Sequence, residues 1–158
     1  DLLESAKETL STIKHLYRDF IRNNFMYKTE YINLVAIYYS NLGDTRRATR
    51  LYSCLFHLEN IPPQFRCKIG FQWAVHLIDK KMFEQAEIIL NKVYPWATYL
   101  PGSEKQYWQY KAELHFHRKE FDQALLAVEN GIETVEDLPE EKQRFEKFRL
   151  EILRLARK

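Results

Sequence analysis

A chain of 158 residues has room for one domain with a substantial core, which at this size buries about 70% of the surface that the unfolded chain exposes. Its composition, 46% apolar and 29% charged with only four Gly and five Pro, excludes a disordered chain and favours long helices over many short strands. The 24 Lys and Arg nearly cancel the 22 Asp and Glu, so the charge carries no electrostatic footprint of a nucleic-acid binder.

The first five residues, DLLES, have neither the basic nor the apolar part of a secretory leader. Apolar runs of the roughly 18 residues that a membrane helix needs do not occur, so a cytoplasmic chain without membrane contact is expected. The sequence begins at Asp1 rather than Met, which fits a processed chain or a fragment of a longer protein. Leu3, Ala6, Leu10, Ile13, Tyr17 and Phe20 follow one another in steps of three and four, predicting a helix over 2–23 whose single apolar stripe needs a neighbour. Helices are then predicted near 28–42, 45–58, 64–80, 82–94, 104–118 and 121–135. Pro63 can open the fourth of the eight, where a missing N–H costs nothing, and Ser103 with Gln106 reads as a capping box opening the sixth. A last helix over 139–157 starts at Asp137 and Pro139, with Phe145, Phe148, Ile152 and Leu155 on one face.

Self-similarity organises the middle of the chain. Ala48, Ala86 and Ala124 are spaced by 38 residues each time, and Ala36, Ala74 and Ala112 precede them by 12. Large residues take matching places, Tyr39, Leu77 and His115 after the first helix's alanine and Tyr52, Leu90 and Val128 after the second's. Alternating small and large residues at fixed places is what interlocked helix crossings require. Gly43-Asp44, Lys81-Met82 and Lys119-Glu120 stand at the turn inside each unit.

These features resemble the tetratricopeptide repeat (TPR), a helix-turn-helix unit with a small residue in each helix and a large one packed against it. The resemblance runs from Tyr27 to about Glu136, roughly three repeats. The period of 38 exceeds the family's usual period of about 34. The family's first-helix glycine is Ala throughout, and the proline that closes each unit is displaced. The extra residues fall between repeats, in NIPPQ and YPWATYLPGS, where turn chemistry allows a longer loop. The resemblance implies an all-α, right-handed solenoid of helical hairpins: an N-terminal helix (1–26), repeats at 27–62, 63–102 and 103–138, and a C-terminal capping helix (139–158). The cap would close the open end of the stack.

His115 and His117 lie two apart on one helix and hence on nearly opposite faces, so they cannot share a metal ion. Cys54, His57 and Cys67 make three potential ligands without a fourth; two ordinary reduced core cysteines beside a surface histidine are expected, with no metal and no cofactor. Neither Gly-x-Ser-x-Gly nor a phosphate-binding glycine loop occurs, so no enzymatic activity is expected. Glu140 and Glu141 suit a helix start. Arg46, Arg47 and Arg50 read as a solvated second-helix face rather than a nucleic-acid contact, because the nearest aromatic, Tyr52, belongs to the packing pattern.

In the TPR family the first helix of each unit lines a concave groove that holds a partner peptide or helix. Carried onto this chain, that implies Glu30, Asn33, Ile37 and Asn41 from the first repeat and Lys68, Phe71, Gln72, Val75 and Asp79 from the second. The third would contribute Gln106, Gln109, Tyr110, Glu113 and His117. Phe71 and Tyr110 are the expected anchors, unless they and Val75 pack beneath a terminal helix instead. The Lys, Asn and Arg with which one family branch clamps a chaperone C-terminus are replaced by Asn33, Ile37, Gln72, Gln106 and Tyr110, so that clamp is absent. The expected function is a protein–protein interaction module, a scaffold, adaptor or assembly chaperone that binds a protein or peptide partner. A peptide-sensing regulatory part of a larger transcription regulator is the alternative. An RNA-processing repeat is disfavoured by the near-neutral charge, so no nucleic-acid partner is expected.

Overall fold

The computed structural model describes residues 2–16, 18 and 23–157. Among these residues the protein is all-α, without strands, and its eight helices pack in consecutive antiparallel pairs. They are α1 (Leu2–Leu16), α2 (Phe25–Asn41), α3 (Thr45–Phe56), α4 (Pro63–Asp79), α5 (Phe83–Ala97), α6 (Ser103–His117), α7 (Phe121–Glu133) and α8 (Pro139–Ala156). Two compact units divide the chain, Asp1–Ile69 and Gly70–Lys158.

The 38-residue repeat is visible in the backbone. Gly43, Lys81 and Lys119 each adopt a left-handed conformation, with φ of 79°, 58° and 62°. At each turn the next amide reaches back to the first helix: Asp44 N–H to Tyr39 O (3.0 Å), Met82 N–H to Leu77 O (2.8 Å) and Glu120 N–H to His115 O (2.9 Å). The left-handed residues themselves donate to Ser40, Ile78 and Phe116 carbonyls. This is the Schellman arrangement three times over, satisfying carbonyls that a helix end would otherwise leave bare. Only the first copy uses glycine, so Lys81 and Lys119 each carry a steric cost of about 1 kcal/mol.

The six repeat alanines, Ala36, Ala48, Ala74, Ala86, Ala112 and Ala124, are all fully buried. Tyr52, Leu77, Leu90, Val128 and His115 are buried at their large-residue places, while Tyr39 is half-buried beneath the Arg47 guanidinium, 5.0 Å from its ring.

In the unit Asp1–Ile69, α2 packs on both α1 and α3. Asn24 caps α2, its Oδ1 accepting from Met26 N–H (3.0 Å) and Tyr27 N–H (3.3 Å), and Asp44 caps α3 through Arg47 N–H (3.0 Å). Of the amino-terminal stripe, Leu3, Leu10 and Ile13 are half-buried and Ala6 is exposed; Tyr17 and Phe20, and most of the expected continuation of that helix to 23, lie outside the described residues. Pro63 opens α4 as the sequence predicts. The loop before it is held by Arg66, whose guanidinium donates to Leu58 O at 2.7 Å.

In the unit Gly70–Lys158, α5 packs on α6, α6 on α7 and α7 on α8. Gly131 lies in α7 at the place that Leu55 and Val93 fill in the earlier repeats. A Cβ at Gly131 would overlap the Phe145 ring of α8. The missing side chain is therefore what lets the cap helix seat, and Phe145 and Ile152 join Ala112, Ala124, Ala127, Val128 and Val135 in one core.

Three local expectations are corrected. The capping box of Ser103 and Gln106 does not form: Gly102 enters α6 in a left-handed conformation with no side-chain cap bond, so Ser103 already stands inside the first turn. Helix α5 continues through Pro95 to Ala97 instead of stopping at 94; the proline removes the one bond its N–H would have made, and the helix ends two residues after it. Cys54 is exposed rather than part of the core, whereas Cys67 is buried, and burial pushes its thiol up to about 11.

Candidate functional site

The first-helix residues named from the sequence divide sharply by exposure. In the unit Asp1–Ile69, Glu30 and Lys68 hold the same place in successive repeats and pair with each other, Nζ to Oε1 at 2.6 Å. Asn33 is 1% exposed, and neither atom of its amide has a hydrogen-bond partner. It is an internal polar group rather than an accessible groove residue. Ile37 is half-buried and Asn41 exposed.

In the unit Gly70–Lys158, Phe71 is 4% exposed, and its ring lies 5.5 Å from that of Tyr110. Phe71 is thus a packed side chain, against the expectation of an accessible anchor. Tyr110 is half-buried on top of it, and burial raises its phenol above the ordinary range. Gln72 and Val75 are half-buried, and Asp79, Gln106, Gln109 and His117 are exposed.

Glu113 stands apart from these. It projects from the middle of α6, half-buried, and its Oε1 accepts from Gln109 Nε2 at 3.0 Å. Burial holds its carboxyl above the usual carboxylate range; the Gln109 hydrogen bond and His117 oppose that rise, and the charge of Asp79 adds to it. No cation among the described residues pairs with it.

Gln109 and Glu113 form one wall of a cleft of ≈ 180 Å³ whose other wall is α8, through Glu141, Arg144, Phe145 and Phe148. Glu141 is engaged twice, by Lys105 at 3.1 Å and Arg144 at 3.4 Å, and Lys105 foremost lowers its pKa. Phe148 is half-buried, edge-on to Phe116 at 5.4 Å. The cleft therefore has an aromatic side, an ion-paired rim and one carboxylate that forms no ion pair among the described residues.

Sequence reasoning gave α8 only a capping role and so missed Glu141, Arg144, Phe145 and Phe148. The available signal was alternation: a helix that follows a second helix takes the place of a next first helix, and its inward stripe then borders the same face as α6.

On the far side of α6 a second set of charges is fully matched. Glu87 of α5 accepts from Lys111 Nζ (2.8 Å) and Arg118 (2.7 Å), Arg118 also reaches Glu120 (3.0 Å), and Glu120 contacts His115 Nδ1 (2.7 Å). His115 is buried in this set while His117 is exposed, so the two histidines face apart. Among the described residues no three His, Cys, Asp or Glu side chains gather as a metal site, and no helix is long and apolar enough to cross a membrane.

No family model matches the chain, and no curated protein matches it. Its structure is similar to that of BtubC (BKLC) from P. vanneervenii, with a TM-score of 0.66 and 18% identity over 88% of this chain. The chain spans 59% of the length of that protein. At this identity the likeness is one of fold alone, to BtubC, a kinesin-light-chain-like TPR protein.

Proposed function

We propose that this protein is a binding module for another protein, and that it holds a segment of its partner against the first-helix face of residues 70–158, in the cleft between α6 and α8. The observation that carries the reading is the cleft itself, aromatic on one side through Phe145 and Phe148 and polar along its rim through Gln109, Glu113 and Arg144. Such a mixture suits a peptide, whose side chains need apolar contact and whose direction is set by a few polar groups. The likeness to a TPR protein supports the reading by analogy of fold alone. Phe71 is not offered as an anchor, because its ring is already covered. No catalytic step and no cofactor are assigned. A nucleic-acid partner at the α3 arginines is disfavoured, since Arg47 is engaged by Asp44 at 3.1 Å and by the Tyr39 ring.

The test is selection of peptides from a random displayed library on the immobilised protein, followed by anisotropy titration of the enriched sequences. Gln109→Trp, at an exposed rim position, fills the cleft and should weaken binding about tenfold or more. Leu126→Gln, on the exposed side of α7, should change nothing. Failure to enrich any peptide, or equal binding by the Gln109→Trp variant, would contradict the reading.

A further inference from the structure

The occupant of the α6–α8 cleft can be narrowed by charge. Of the charged groups that line it, Glu141 and Arg144 already satisfy each other, with Lys105 as a further partner of Glu141. Glu113 forms no ion pair: its bonded partner is a neutral amide, Gln109, and the favourable influence of His117 one turn on is opposed by Asp79, close enough to add to its negative potential. A carboxylate withdrawn from water without a cation is a costly group, and its rise in pKa expresses that cost. An acidic ligand side chain would worsen it. A purely apolar one would remove the remaining water from Glu113 and give nothing in return.

Size narrows the choice again. At ≈ 180 Å³ the cleft is smaller than the roughly 300–1,000 Å³ of cofactor and drug-sized pockets, so it accepts a single long side chain. Phe145 and Phe148 supply an aromatic side along which an aliphatic stem can lie and against which a cation is favourable. We infer that the α6–α8 cleft receives an arginine or lysine of the partner, its stem along Phe148 and its charged end at the Glu113 carboxylate. This rests on the binding role proposed above. Glu113 is then a specificity residue: it selects which peptides bind, while the rest of the face contributes contact area.

Parallel library selections on the wild-type protein and on Glu113→Gln test the assignment. The wild type should enrich peptides with Arg or Lys at one fixed position beside apolar residues, and Glu113→Gln should keep the apolar positions and lose the basic one. In a synthetic enriched peptide, replacing the basic residue by norleucine should weaken binding to the wild type about tenfold, and binding to Glu113→Gln by no more than about twofold. Enriched peptides without a basic position, or an equal norleucine effect on both proteins, would overturn the inference and leave the binding role standing. No enrichment on either protein, or peptides indifferent to Gln109→Trp, would remove the binding role and the inference with it. The norleucine comparison on the wild type alone decides the matter should Glu113→Gln lose its fold: an unchanged affinity there overturns the assignment.

Discussion

Glu87 and Glu113 are both half-buried glutamates of the unit Gly70–Lys158, one on α5 and one on α6, and their surroundings push them in opposite directions. Glu87 sits between Lys111 and Arg118; the Lys111 hydrogen bond above all, against the effect of burial, holds its carboxyl below the usual range. Glu113 loses water as well but gains only an amide and the weaker influence of His117, so burial wins and its carboxyl is raised. Burial alone therefore does not tell what a charged side chain contributes. A matched carboxylate ties two helices together, whereas an unmatched one weakens the fold slightly and leaves an attraction open to a partner.

Unseating the wall opposite Glu113 while leaving the Glu87 charges intact should have the largest effect. Gly131→Ala drives a methyl into the Phe145 ring and should cost about 1–3 kcal/mol in denaturant unfolding. It should also return Glu113 toward the ordinary carboxylate range by readmitting water, which a pH titration followed by NMR would detect. An unchanged stability would mean that α8 is not docked through Phe145.

Glu87→Gln removes the matched charge. Its partners are partly exposed, so the loss should fall between the surface and buried limits, about 1–2 kcal/mol at neutral pH. The sign with pH follows from its lowered carboxyl: the stabilisation is present above the unfolded pKa and disappears as pH falls through the lower folded value. Wild type and variant should thus converge in acid, and a constant gap across that range would show that the loss is not electrostatic.

The sequence made much of the framework legible and little of this contrast. The alanines at 36, 48, 74, 86, 112 and 124 can be read because helix crossings tolerate only small residues, and a volume rule repeats wherever the crossing repeats. The three turns could be located from their place in the period. That Lys81 and Lys119 are left-handed could not be, since lysine carries no signal for that conformation. Ser103 with Gln106 matched a capping pattern, but Gly102 set the entry to the helix. Phe71 holds the repeat place of both buried Asn33 and exposed Gln109, and spacing gives the side of a helix without saying whether a neighbour covers it. Lys111 and Arg118 lie 24 and 31 residues from Glu87. Whether a glutamate finds such a partner depends on how helices stack, which local pattern does not encode.

A smaller effect is expected at the turn beside the matched charges. Lys119→Gly relieves a left-handed lysine between Arg118 and Glu120. The gain should be about 0.5 kcal/mol, steric relief of about 1 kcal/mol reduced by the greater chain entropy of unfolded glycine. A loss instead would mean that the Lys119 side chain contributes more than its backbone strain costs.

The most direct test of the contrast is the denaturant unfolding free energy of Glu113→Gln at neutral pH. A raised carboxyl costs nothing below its unfolded pKa, where both states are protonated. Its cost grows as pH rises from there and is complete above the folded value. Removing the charge should therefore leave the protein at neutral pH as stable as the wild type or more so, with the gain vanishing in acid. A variant less stable than the wild type by about 1 kcal/mol or more would mean that the Glu113 charge is matched within the fold, and would contradict the division of labour drawn between it and Glu87.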